Sequence, residues 1–310
     1  MKKILIDTNS INGRRSALIE GDKLIDFDLE FEGNNFQKGS IHKGKITKIE
    51  GSLEAIFVEM GSSRHGFLPF KELSAEYFDP SKTGEDRFKI SEGDDIVVQI
   101  QKEERVNKGA ALSTYISLAS RYIVLMTNHP NGGGISRRIH GEERDKIKSH
   151  IEALNVPENM SLIIRTAGID KQIEELRWDL EYLKKLWVEV ESAIKGSKAT
   201  QLIYADQSLI QKTIRDYFKE DIGELVVDNE DDFNSAKTYT NKIVPDFIEK
   251  IKLYDEEVPL FASYGIESKI ESAFSREVKL KSGASIVIDS GEALTSCLLY
   301  TSDAADEVDG

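Results

Sequence analysis

Short apolar strings broken by turn residues open the chain. Ile4-Leu5-Ile6, Ala17-Leu18-Ile19 and Leu24-Ile25 are separated by Asn12-Gly13 and Gly21-Asp22, a rhythm that predicts a small meander of strands over residues 1–35. From Ser40 the texture changes to five strand-like runs: Ile41 to Ile49, Ala55 to Val58, Gly66 to Leu68, Ile96 to Ile100 and Ala111 to Ile116. Gly44, Gly51, Gly61, Gly66 and Gly93 stand near their ends. Short strands with glycine corners and one helical insert over 71–78 predict a closed five-stranded barrel of the OB type.

Beyond Ser120 come an apolar run from Tyr122 to Met126, a Gly132-Gly133-Gly134 loop, a helical stretch over 141–154 and a strand over 161–166. Ile173, Leu176, Leu180, Leu183, Trp187, Val190 and Ile194 then recur every three or four residues, one apolar stripe along a long helix. Asp170 is its predicted N-cap, and Gly196 lies just past its expected end. Trp178 and Trp187 are expected to pack against a sheet or another helix rather than a ligand. After Leu202 the order is strand, helix over 208–218, strand over 224–227, a helix ending near Lys250, and a further strand over 285–289. Such alternation is α/β or α+β texture.

Composition narrows the options. The 310 residues are 39% hydrophobic and 31% charged, enough for two or three domains with their own cores and too apolar for a disordered chain. Lys and Arg number 41 against 55 Asp and Glu, a net charge of −14. That excludes coating of polyanions by bulk charge and confines nucleic-acid contact to local patches. One patch lies between Gln37 and Phe70, where Lys38, Lys43, Lys45, Lys48 and Arg64 outnumber Glu50, Glu54 and Glu59. Glu220, Asp221, Glu224, Asp228, Glu230, Asp231 and Asp232 crowd one short stretch without a base and read as a solvated edge rather than a metal cluster. No apolar run reaches the roughly 18 residues of a membrane helix. The single cysteine, Cys297, cannot make an internal disulfide or a Cys-based zinc site, and a cytoplasmic protein is expected.

Binding of single-stranded RNA on a barrel needs aromatic faces for stacking and cations along the phosphates. Phe57 and Phe67 on adjacent strands supply the first; Lys43, Lys45, Lys48, Arg64, His65 and Lys108 supply the second. Phe57 fits a barrel core equally well. Arg137-Arg138 after the triple glycine, and Arg165-Thr166 at a strand end before Ala167-Gly168, could hold a terminal phosphate through guanidinium, hydroxyl and backbone N–H groups. On residues alone a surface ion pair explains Arg165 as well. His42, His65, His129, His140 and His150 show no metal-ligand spacing, and neither a nucleophile elbow nor a phosphate-binding glycine loop occurs. Asp289 and Glu292 close a strand as either metal ligands or a turn cap with a solvated neighbour.

The ordered strings IHKGKITKIE (41–50), SLEAIFV (52–58), RHGFLP (64–69), NKGAALS (107–113), GISRRI (134–139), RTAG (165–168) and IESKIESAF (266–274) resemble the N-terminal part of the bacterial ribonuclease E/G endoribonucleases, on the ribonuclease E side of that family. The resemblance covers residues 1–296. It implies an α+β multidomain chain: an RNase H-like domain (1–35 and 211–274) interrupted by an OB barrel (36–114) and an α/β 5′-sensor domain (115–210), with a catalytic domain beginning at 275. It implies RNA clamped by Phe57, Phe67 and Lys108, and a 5′-monophosphate pocket at Arg165 and Thr166 with the Val124 backbone and Arg137 beside them. The implied activity is Mg²⁺-assisted cleavage of single-stranded, AU-rich RNA in mRNA decay and rRNA/tRNA processing. The family's first catalytic aspartate follows its Glu-Ala-Leu-Thr motif, here Glu292 to Thr295, by a few residues; its second, its zinc-linking cysteines and its dimerising domain lie further on. Homo-oligomers and RNA-decay assembly partners are implied for the full-length enzyme. A non-catalytic RNA-binding module of OB type is the alternative.

Residues 297–307, CLLYTSDAADE, match one reading frame of a transposase sequencing adapter. The native chain is therefore expected to end near Ser296, with the catalytic residues absent and the polypeptide inactive. Cys297, Asp303 and Asp306 then carry no functional role.

Overall fold

The computed structural model describes residues 1–9, 13–31, 36–79, 81–82, 87–105, 108–130, 132–135, 142–205, 208–291 and 294–301. It forms two compact units, Met1–Glu32 with Leu209–Gly310, and Gly33–Ser208. The first unit opens with β1 (Lys2–Asp7), β2 (Arg14–Glu20) and β3 (Lys23–Glu30), joined as an antiparallel meander.

In the second unit β4 (Ile41–Glu50), β5 (Ala55–Glu59), β6 (Gly66–Pro69), β7 (Asp95–Lys102) and β8 (Ala111–Ser113) are hydrogen-bonded in the order β4-β5-β6-β8-β7, and β7 pairs back onto β4. The barrel is closed, so no strand edge is left open within it. Its core is the inward half of each alternating strand: Ile46, Ile56, Val58, Leu68, Val98 and Leu112 are all at or below 1% exposed. Each such side chain stabilises the barrel by about 1.5–3 kcal/mol. The insert expected as a helix over 71–78 is two single 3₁₀ turns, Phe70–Glu72 and Ala75–Tyr77. Leu73 and Ser74 between them are extended, because Leu73 is buried in the barrel core and the Ser74 N–H donates to Thr114 Oγ1 at 2.6 Å.

The chain continues through β9 (Ser117–Ala119), β10 (Ile123–Met126), β11 (Gly134–Ile135), α1 (Glu142–Ala153), β12 (Ser161–Ile164), α2 (Ile173–Gly196) and β13 (Gln201–Tyr204). The sheet order is β11-β12-β10-β9, while β13 adds to β4 of the barrel. Leu176, Leu180, Leu183 and Val190 of α2 are buried against Ile123, Leu125 and Ile164 of this sheet. Two details depart from the pattern. The helix is capped by Gln172, whose N–H donates to Glu175 Oε2 at 3.0 Å, rather than by Asp170. Trp187 packs on the core as expected, but Trp178 is 56% exposed: two residues past Leu176, it points away from the buried stripe.

Back in the first unit come α3 (Leu209–Tyr217), β14 (Ile222–Val227), α4 (Glu230–Ile243), β15 (Ile251–Leu253), α5 (Leu260–Ser263) and α6 (Glu267–Ala273). The mixed sheet runs β15-β14-β1-β2-β3, with β14 parallel to both β1 and β15. Ile4 and Ile6 face the α3 and α4 side, Leu5 the α5 and α6 side, which explains the unbroken apolar run of β1. The acids of 220–232 lie at the surface, and several are paired there. Asp221 and Glu224 pair with Lys2 and Lys3 at 2.7 and 2.9 Å, Asp232 with Arg14 at 3.5 Å, and Asp228 accepts the Thr8 N–H at 2.9 Å. Glu230, Asp231 and Asp232 fill the first turn of α4, where negative charge suits the helix dipole. The last strands, β16 (Glu277–Lys279), β17 (Ser285–Ser290) and β18 (Thr295–Tyr300), form an antiparallel sheet in which Leu298, Leu299 and Tyr300 are more than half exposed.

Candidate nucleic-acid interface

Strand alternation decides where the two phenylalanines go. Ile56, Val58 and Leu68 turn inward with 0% exposure, so Phe57 and Phe67 between them stand on the outer wall. They are direct cross-strand partners with ring centroids 6.0 Å apart at 71°, an edge-on pair. The ambiguity over Phe57 is resolved against the core. Thr47 anchors this wall: its Oγ1 donates to the Phe57 carbonyl at 3.0 Å and lies 3.1 Å from His65 Nδ1.

Lys108 is brought to the same wall by a close backbone approach. A Cβ on Gly109 would lie 2.1 Å from the His65 carbonyl oxygen, so only glycine lets the Lys108-Gly109 segment lie against Arg64-His65. The Phe67 N–H then donates to the Ala110 carbonyl at 2.8 Å. Lys108 and Lys45 are exposed; Arg64 is half exposed with Nε 3.6 Å from Glu104. Lys43 lies elsewhere, its Nζ donating to the Ser197 carbonyl at 2.8 Å and standing 3.9 Å from Asp95. It ties β4 to the end of α2, about 16 Å along the strand from Lys48, the cross-strand partner of Phe57.

The second set of residues meets at the corner between β9 and β10. Arg165 follows β12; its N–H donates to the Tyr122 carbonyl at 2.8 Å and its Nη1 to the Ser120 carbonyl at 2.7 Å. Thr166 begins the 3₁₀ turn Thr166–Gly168 and is exposed. That turn sits on the corner so closely that a Cβ on Gly168 would be 3.1 Å from the Tyr122 carbonyl oxygen. Val124 is in β10, opposite Ile163. Arg137 lies outside the described residues. Behind the corner is Asp179 of α2, 3% exposed. Burial pushes its carboxyl above the usual carboxylate range, while hydrogen bonds from Ser120 and from the Tyr122 and Ile123 N–H groups, and the charge of Arg165, pull the other way. Sequence pattern gave it no role, yet it stands three residues past Leu176 and four before Leu183, on the buried arc of α2, where an ionisable group must find partners.

Asp289 is held by Arg276 Nη2 at 2.9 Å, Asp7 pairs with Arg15, and among the described residues no group of three or more His, Cys, Asp and Glu side chains could hold a metal. Glu292 is outside them. Cys297 is exposed and free. Among the described residues no helix is long and apolar enough to cross a membrane.

Comparison with known proteins matches the barrel separately from the chain that follows it, the second match continuing past the second unit into the first. Residues 35–115 match the S1 RNA binding domain, and residues 117–302 match the Ribonuclease E/G family. The chain is 49% identical to ribonuclease E of Haemophilus influenzae over 300 residues, covering 96% of this chain and 32% of that protein. It is likewise 49% identical to ribonuclease E of Escherichia coli over 301 residues, 96% of this chain and 28% of the relative. Similarity to ribonuclease G of Haemophilus influenzae is lower, 32% over 298 residues, with 94% and 60% covered. The chain thus spans about a third of the two ribonuclease E relatives. With an S1 barrel followed by a family match over more than half its length, the chain belongs to the ribonuclease E/G family.

Proposed function

We propose that this chain is the RNA-binding and 5′-monophosphate-sensing part of a Mg²⁺-dependent endoribonuclease that cuts single-stranded, AU-rich RNA in mRNA decay and rRNA/tRNA processing. The observation that carries the reading is the Phe57–Phe67 pair on the outer wall of a closed S1 barrel with Lys108 drawn alongside it. Stacking rings beside a cation suit a single strand whose bases are splayed out. Arg165 and Thr166, set at the mouth of a rigid corner, suit a terminal phosphate: a guanidinium and a hydroxyl complement a monophosphate, and a triphosphate adds bulk and charge. The supporting scaffold is read as an RNase H-like domain from both chain ends, the barrel, and a sensor domain over 115–210. Cleavage on this reading draws on magnesium, and whether this polypeptide cuts RNA is read from Mg²⁺-dependent hydrolysis of the same substrates. A cytoplasmic location and assembly of the whole enzyme into oligomers belong to the same proposal.

The test is anisotropy of 3′-labelled single-stranded RNA carrying a 5′-monophosphate or a 5′-hydroxyl. Phe67→Ala should weaken binding of both by roughly 5- to 100-fold, the value of one stacked base. Arg165→Ala should erase the preference for the monophosphate while binding still depends on Phe67. Equal affinity of the unmodified chain for both RNAs would favour an OB-type RNA binder that ignores the end, and loss of both properties in Arg165→Ala would mean the two sites are one.

A further inference from the structure

The corner that holds Arg165 is itself held from behind. The Ser120 N–H closes the corner onto the Ile123 carbonyl at 2.9 Å; three other donors of the segment turn to one side and two of its carbonyls to the other. On the donor side, a single carboxylate oxygen of Asp179 accepts the Ser120 hydroxyl, the Tyr122 N–H at 2.9 Å and the Ile123 N–H at 3.0 Å. On the acceptor side, the Ser120 carbonyl receives Arg165 Nη1 at 2.7 Å and the Tyr122 carbonyl receives the Arg165 N–H at 2.8 Å. The Tyr122–Ile123 peptide is therefore one link in a continuous chain. Its N–H points at the Asp179 carboxylate and its C=O at Arg165, so negative charge at one end polarises the acceptor at the other. Ser120 links the two sides by position instead: Asp179 fixes its hydroxyl, and its carbonyl aims the Arg165 guanidinium. Asp179, Ser120 and Tyr122 are 3%, 2% and 9% exposed, so water does not compete for these bonds.

We propose that Asp179 is a positioning residue for the 5′-phosphate pocket, fixing the orientation of the Arg165 guanidinium through the Ser120–Ile123 corner and serving as its buried counter-charge. The inference rests on the 5′-phosphate reading of Arg165. It extends the pocket to a group that touches no RNA. A phosphate arriving at Arg165 meets a fork already aimed, rather than a mobile side chain that must first be ordered. An asparagine at 179 keeps the shape but offers a weaker acceptor and no charge, so the corner and the guanidinium it holds should loosen together.

The experiment uses the whole chain with the 5′-monophosphate and 5′-hydroxyl RNAs, and follows the ratio of the two affinities together with urea denaturation. Asp179→Asn should lower the ratio roughly three- to tenfold, the size of effect expected for a residue coupled through an intact network, and Ser120→Ala should lower it less. A purely structural role predicts a lower denaturation midpoint with the ratio intact. If Arg165→Ala destroys the ratio and Asp179→Asn preserves it, the positioning role is overturned while the phosphate pocket stands. If the unmodified chain shows no preference, the pocket reading falls and this inference with it. Should Asp179→Asn fail to fold, Ser120→Ala, which removes one donor and strands no buried backbone group, decides the matter: an undiminished ratio overturns the role.

Discussion

The aromatic wall of the barrel and the Arg165 corner are built in opposite ways. Phe57 and Phe67 occupy the outward positions of two strands whose inward positions make the core; their orientation follows from the twofold period of a strand, and each ring is half-buried. Arg165 is oriented by two carbonyls of a corner that gives three donors, the Ser120 hydroxyl and the Tyr122 and Ile123 N–H groups, to one buried carboxylate. The wall is a display, in which a side chain is replaced at little cost to its support. The corner is a network, in which no member is independent of the next. An RNA clamp can be assembled from separate contacts, whereas discrimination between a phosphate and a hydroxyl demands fixed donors.

If the wall depends on the core behind it, Leu68→Ala is the largest perturbation available. Leu68 is 0% exposed and adjoins Phe67 in β6; its truncation should cost about 2–5 kcal/mol, seen in urea denaturation by circular dichroism. RNA affinity of the fraction still folded should fall with it, because the strand carrying Phe67 loses its backing. Unchanged affinity in a destabilised Leu68→Ala chain would separate the wall from its core and weaken the comparison.

Gly109→Ala probes how the cation reaches the wall. The added methyl would meet the His65 carbonyl, and overpacking of this kind costs about 1–3 kcal/mol. The 108–109 segment must move off residues 64–65, taking Lys108 from the phenylalanine pair. The expected result is a shallower salt dependence of RNA binding, with one fewer phosphate contact. A salt slope equal to that of the unmodified chain would show that Lys108 does not contact the backbone of the RNA.

The same contrast governs what was legible in the sequence. The barrel strands, the long helix and the outward pair could be read because periodicity reports on local geometry: Ile56, Phe57 and Val58 announce their faces by alternation. What failed was each feature set by distant partners. Lys43 reads as a free cation until Ser197 captures it; the acids near Asp221 lie at the surface as expected, but their pairing with Lys2 and Lys3 from the start of the chain has no local signal; Trp178 is marked by its size and yet lies off the stripe. Asp179 is the sharpest case. Nothing local distinguishes it from the other acids of α2 except its place on the buried arc, and its partners lie 56 to 59 residues away.

The smallest effects come from pH, and there the two regions should differ in sign. Asp179 is raised in the folded state, chiefly by burial. Its carboxyl therefore favours folding most when protonated: that contribution is complete below the unfolded value and is lost as pH rises through the folded one. The denaturation midpoint of the unmodified chain should gain on that of Asp179→Asn as pH is lowered from neutrality towards 4. Glu50, at the end of β4, is lowered to about 2 by hydrogen bonds from Lys48 and Ser52 and lies at the surface, partly exposed beside the exposed Lys48. Its contribution has the opposite sign, present above the usual glutamate value and lost as pH falls towards 2, but water screens the pair so well that Glu50→Gln should leave the midpoint unmoved. A carboxylate titration by NMR would find Glu50 still ionised at pH 3, its depressed value visible in the spectrum and silent in the stability. A stability change for Glu50→Gln as large as that for Asp179→Asn would mean that exposure does not separate display from network in this unit.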